Sequence, residues 1–170
     1  MDLRVRRAEE ADLAAMVAVK HDAGVAAWDH ILPSPVLETL PFPDRWAAAV
    51  DARDARVRVL VVDADGDVVG FAVTRPSGDA DVDDGTGELD GFYVDPRSWG
   101  LGAGRALLAA AVATLRAAGF RDATLWTAAE NHRPRRIYET AGWRTDGTDR
   151  RRAFGGVEFV EVRYRIGLSS

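Results

Sequence analysis

The stretch Val94-Asp95-Pro96-Arg97-Ser98-Trp99-Gly100-Leu101-Gly102-Ala103-Gly104-Arg105 decides how the rest of the chain is read. It joins Glu88 to Val94, which reads as a strand, to Gly102 to Ala118, the strongest helical pattern in the sequence. In that helix Leu107, Leu108, Ala111, Val112 and Leu115 share one face, and Gly119 is placed to stop it. Three glycines at alternate positions ahead of a helix let the main chain turn tightly and present several N–H groups to one external object. A phosphate is the natural object: the free N–H groups and the positive end of the helix dipole favour an anion, and Arg105 can add a charge-assisted bond. The spacing is not the dinucleotide fingerprint, and no Lys-Ser or Lys-Thr follows as in a Walker loop.

Outward from this turn, Leu3 and Val5 fit a short strand, and a helix is predicted from Asp12 through Lys20, ending before Gly24. Val25 to Pro43 is interrupted by Pro33, Pro35 and Pro41, leaving room for one short helix at Val36 to Leu40. A second helical pattern follows over Phe42 to Arg53. Val57 to Val62 and Val68 to Thr74, separated by Asp65 and Gly66, read as a hairpin. Asp79, Asp81, Asp83 and Asp84 read as a solvated loop tip, with a bound cation or basic peptide as the alternative. Thr124 to Thr127 is a strand, Asn131 to Ala141 a helix, Trp143 to Thr145 a short strand, Asp146 to Gly156 a loop and Val160 to Ile166 a last half-buried strand. This alternation of strands and helices after a hairpin implies an α/β (α+β) fold, a mixed sheet with helices on both faces.

The glycine turn, together with Leu125-Trp126-Thr127 and the run Asn131-His132-Arg133-Pro134-Arg135-Arg136-Ile137-Tyr138-Glu139-Thr140-Ala141-Gly142-Trp143, resembles the GCN5-related N-acetyltransferase superfamily. The resemblance implies a mostly antiparallel sheet of six to seven strands, splayed between the fourth and fifth, within one acyl-CoA N-acyltransferase domain over residues 1–170. It implies acetyl-CoA as cosubstrate, its pyrophosphate held by Trp99, Gly100, Leu101, Gly102, Ala103, Gly104 and Arg105, with Arg136 nearby. Trp99 stands where the family usually carries Gln or Arg, but a main-chain cradle does not depend on that side chain. By the same resemblance Phe92 and Val94 supply a strand edge to the pantetheine arm, Asn131 contacts that arm, and Tyr138 lies near the thioester sulfur.

The chemistry agrees with the roles implied. Acyl transfer expels a thiolate, and a neutral phenol such as Tyr138 can protonate it. The acceptor amine must lose a proton, and Glu88 and Asp90, two positions apart on one strand, are the candidate bases, with Glu88 preferred. Asn131 can instead serve as a helix N-cap, and Tyr138 as a core residue. With no cysteine and no Gly-x-Ser-x-Gly elbow, direct sequential transfer is expected. Trp28, Trp46 and Phe154 are candidates to line the acceptor site, or else core residues. The acceptor expected is a small-molecule or peptide primary amine. An acyltransferase using another acyl group or a hydroxyl acceptor, and a non-catalytic acyl-CoA-binding module, remain open.

Composition sets the outer bounds. The 170 residues suffice for one core, burying roughly 70% of the unfolded surface. A formal net charge of -5 gives no general attraction to nucleic acid. The zero cysteine count excludes disulfides and Cys-ligated zinc, and His21, His30 and His132 have no metal-ligand spacing, so no metal is expected. The first residues carry no apolar leader, and no run is long enough to span a bilayer, so a cytoplasmic protein without membrane partners is expected. A homodimer pairing through an exposed final strand is plausible on the same resemblance.

Overall fold

The computed structural model describes residues 1–169. The strands are β1 (Leu3–Arg7), β2 (Arg58–Ala64), β3 (Asp67–Pro76), β4 (Thr86–Val94), β5 (Asp122–Ala128), β6 (Arg144–Phe154) and β7 (Val157–Gly167). They form a seven-stranded sheet in the order β1-β2-β3-β4-β5-β7-β6. Every pairing is antiparallel except β4 with β5. The helices are α1 (Leu13–Trp28), α2 (Ser34–Leu37), α3 (Asp44–Val50), α4 (Ala103–Ala117) and α5 (His132–Thr140). Under α4 and α5, Leu107, Leu108, Leu115, Leu125, Trp143 and Tyr164 close one core. On the opposite face, under α1 and α3, Met16, Val19, Trp46, Val61, Phe71 and Val73 close the other.

The sheet is split as expected. β4 and β5 pair only through Thr86↔Asp122, Gly87↔Ala123 and Glu88↔Thr124, and beyond Glu88 they separate. β4 keeps its partner β3 on the other side through Val94, so its residues from Asp90 onward carry a main-chain edge facing the gap. In β4 the register with β3 shifts, Val73 opposing Gly91 and Thr74 opposing Leu89, which leaves Asp90 as the extra residue of a bulge. The bulge inverts the alternation. Leu89, Phe92 and Val94 pack with the α4 and α5 core, whereas Tyr93 packs with Phe71 and Trp46 on the α1 and α3 side. Gly91 gives the Trp46 ring room there, because a Cβ would lie 3.0 to 3.2 Å from it and the ring would have to give way.

Four expectations need correction. Helix α1 does not stop before Gly24 but runs on to Trp28. The cost of a helical glycine, about 1 kcal/mol, is offset by the good helix formers Ala23, Ala26 and Ala27 and by Trp28 packing edge-on to Phe159 at 5.0 Å. Asp146 to Gly156 is not a loop: most of it is strand β6, hidden from the sequence because its residues are largely exposed and carry no apolar alternation. The final strand β7 therefore lies inside the sheet, between β5 and β6, and is not available as an edge for pairing two copies. The loop after β3 is not a free acidic tip. Asp79 and Asp81 bind Arg163 at 3.2 and 2.7 Å, Asp146 binds it at 2.7 Å, and that guanidinium is only 3% exposed. Asp83 pairs with Arg121 at 2.9 Å.

Candidate active site

The main chain builds the first part of the site. After β4 a 3₁₀ turn over Pro96–Ser98 is capped by the Asp95 carboxylate, which accepts from the Arg97 N–H. Gly100 and Gly102 then take φ values of 77° and 94°, in the left-handed region where a side chain is strained. A Cβ would meet nothing within 4 Å at Gly100 and only Leu3 at 3.7 Å at Gly102, so these glycines serve the backbone conformation and keep the hollow above it clear. Helix α4 starts at Ala103, and the first main-chain N–H to find an acceptor, Gly102 C=O, is that of Ala106. The N–H groups of Ala103, Gly104 and Arg105 are therefore free at a helix N-terminus, a set of donors suited to a phosphate. Trp99 fixes the loop to the strand: its indole N–H donates to Val94 C=O at 2.8 Å. Arg133 of α5 lies over the Trp99 ring, 4.3 Å from its centroid, and adds the cation.

The loop opens into a cavity of about 870 Å³ that continues through the gap between β4 and β5. Phe92, Val94, Trp99, Gly100, Gly104 and Tyr138 line it, as do Asp90 and Asn131. Ala103 is buried below, Leu101 and Gly102 are exposed beside the turn, and Arg105 and Arg136 are exposed and outside the lining. Arg133, by contrast, is part of the lining at this end.

Asn131 is 5% exposed, precedes α5 and makes no capping bond with its side chain, so its amide is uncommitted and faces the cavity. Tyr138 is buried with its ring 5.8 Å from Phe92. Burial raises its phenol pKa, and no described residue hydrogen-bonds its hydroxyl, so it is a neutral donor with a free proton. Glu88 and Asp90 differ sharply. Asp90 accepts from Arg45 at 2.8 Å and from the Trp46 indole at 2.7 Å; burial would raise its pKa, but these bonds hold it below the ordinary value. Glu88 sits at the last paired position before the gap, outside the cavity lining, with no hydrogen-bond partner among the described residues. Burial first, then the charges of Asp90 and Asp79, push its pKa up to about 7.

Tyr93 and Lys20, both in the lining, were not among the site candidates read from the sequence. Tyr93 reaches the acceptor side only because of the bulge, and burial pushes its pKa up to about 12. Lys20 lies over its ring at 5.7 Å. Trp28, Trp46 and Phe154, candidates from sequence, all line the cavity.

Residues 25–143 match the family model described as the acetyltransferase (GNAT) family. Over 95 residues the chain is 36% identical to mycothiol acetyltransferase from Cellulomonas flavigena, a match covering 53% of this chain and 27% of that protein. Over 68 residues it is 47% identical to aminoglycoside N(6')-acetyltransferase type 1 from Stenotrophomonas maltophilia, covering 37% of this chain and 43% of that protein. The chain thus matches less than half the length of either curated relative. A putative acetyltransferase from Salmonella typhimurium, solved with its cofactor acetyl-CoA, shares the fold at a TM-score of 0.77 and 22% identity, over 99% of this chain and 95% of that chain.

Proposed function

The chain belongs to the acetyltransferase (GNAT) family, and from that membership we propose that it transfers an acetyl group from acetyl-CoA directly to a primary amine. The observation that carries this is the meeting, in one cavity, of a glycine turn with free N–H groups, an unpaired β4 edge and the unbonded phenol of Tyr138. Acetyl-CoA, when bound, supplies the acetyl thioester.

Each protein group has a task. The free N–H groups ahead of α4, with Arg133, hold the pyrophosphate. The open β4 edge and the Asn131 amide take the pantetheine arm, and a main-chain N–H near Val94 polarises the thioester carbonyl. Glu88, whose carboxyl is pushed up to about 7 and which stands just outside the lining, takes the proton from the acceptor amine through water. The amine nitrogen forms its bond to the acetyl carbon, the carbon–sulfur bond breaks, and Tyr138 donates its proton to the departing sulfur. Asp90 is unsuited to the base role because Arg45 and Trp46 already claim its oxygens.

The test is release of free CoA thiol from acetyl-CoA in the presence of primary amines. The chain has no cysteine, so a thiol reagent reads CoA alone. Acceptor-dependent thiol release with mass-spectrometric detection of the acetylamide supports the reading; binding of acetyl-CoA without turnover of any amine contradicts it.

A further inference from the structure

The α1 and α3 side of the cavity has an uneven charge. Asp90 is met by two guanidiniums, Arg45 at 2.8 Å and Arg75 at 3.7 Å. Glu161 is likewise met by Arg150 at 2.8 Å and Arg152 at 3.7 Å. The other lining carboxylates, Asp44 and Glu130, are exposed to solvent. The two lining carboxylates that are not fully exposed, Asp90 and Glu161, are therefore already paired. Lys20, the one lysine of the sequence, also lines the cavity and is half-buried. No carboxylate of the described residues pairs with it; its only charge-related neighbour is the face of the Tyr93 ring. Burial alone lowers its pKa, with nothing to offset the loss of water. An unpaired, half-buried cation in the cavity wall rewards a ligand that brings its own anion.

Resting on the acetyltransferase reading above, we propose that the acceptor is an aminocarboxylate with an apolar side chain, its carboxylate paired with Lys20 and its side chain against Trp28, Trp46 and Phe154. The carboxylate completes the lysine's charge, the indoles and Phe154 supply apolar surface, and the amine is left to face the gap in the sheet. Lys20 is a specificity-determining residue in this arrangement.

The test compares leucine, leucinamide, isoamylamine, spermidine and kanamycin as acceptors for the full chain with acetyl-CoA. Leucine is expected to exceed isoamylamine and leucinamide by roughly 10- to 100-fold in kcat/KM, the range of one charge-assisted contact. In Lys20→Met the preference is expected to collapse through a higher KM for leucine with kcat little changed, and Lys20→Arg is expected to restore part of it. Turnover of isoamylamine, spermidine or kanamycin equal to that of leucine, or a preference unchanged in Lys20→Met, overturns the proposal and leaves the acetyltransferase reading standing. If none of the panel turns over, calorimetry of the CoA complex with N-acetylleucine and N-acetylleucinamide reads the same preference: tighter binding of the acid supports it, and equal or absent binding overturns it. Failure of acetyl-CoA itself to bind overturns both.

Discussion

On the α4 and α5 side of the sheet the groups offered to a ligand are largely main chain, the N–H groups of 103–105 and the β4 edge, drawn from one stretch of sequence. On the α1 and α3 side they are side chains, Lys20, Trp28, Arg45, Trp46, Tyr93 and Glu161, brought together from four separate parts of the chain. A site made of backbone needs only the residues that permit a conformation, and glycine at a left-handed φ is nearly obligatory there. A site made of side chains depends on which face each residue takes, and one extra residue in β4 reverses that face. Side-chain changes beside the first kind of site leave its N–H donors in place, whereas a few substitutions remake the second.

Several substitutions break or sharpen this contrast. The largest expected effect is that of Tyr138→Phe, which keeps the buried ring and removes the free hydroxyl: kcat should fall by roughly two to four orders of magnitude with acetyl-CoA binding little changed, as read by thiol release and calorimetry. A kcat within twofold of the wild type would remove Tyr138 from the transfer step. Next is Arg163→Met, which leaves Asp79, Asp81 and Asp146 facing one another under the loop after β3; denaturant unfolding should show a loss of about 3 kcal/mol. Asp81 is held down at about 2, chiefly by its hydrogen bonds from Arg163. Its contribution to stability is complete above about pH 4 and is lost as pH falls toward 2, so the stability gap between the wild type and Arg163→Met should narrow over that range.

Glu88→Gln is expected to lower kcat about 100-fold and to flatten the rise of rate with pH, which in the wild type should climb through about 7 as the carboxyl ionises. Its effect on stability has the opposite sense to that of Asp81. A carboxyl raised from 4.5 to about 7 favours the folded state fully below 4.5 and loses that contribution as pH rises through 7. The glutamine variant should therefore melt higher than the wild type at pH 8 relative to their difference at pH 4; a pH-independent difference would show that Glu88 is not held neutral by the fold. The smallest expected effect is about a tenfold weaker Kd for acetyl-CoA in Gly102→Val, from backbone strain at φ 94°.

The same contrast explains what could be read from the sequence. The hairpin at Asp65 and Gly66, helices α4 and α5, and the glycine turn were legible because each is encoded locally by periodicity, turn chemistry or a stop. Strand β6 was not, because Arg150, Arg151 and Arg152 lie on a sheet edge where no apolar face is demanded and charge protects the edge. Strict alternation along β4 puts Tyr93 on the face opposite Asp90; only the bulge at Asp90, visible in the register with β3, turns it toward Lys20. The acids at 79 and 81 looked solvated because their partner, Arg163, is 84 and 82 residues away. The sequence order of the charges held no trace of that pairing.

The measurement that tests the central claim most directly is a calorimetric titration of the purified chain with acetyl-CoA, repeated with Gly102→Val. A 1:1 complex with Kd on the order of micromolar, weakened about tenfold in a variant that is still folded by circular dichroism at the titration temperature, is the result expected of a main-chain cradle. No heat of binding in the wild type, or equal affinity in the two proteins, would contradict it.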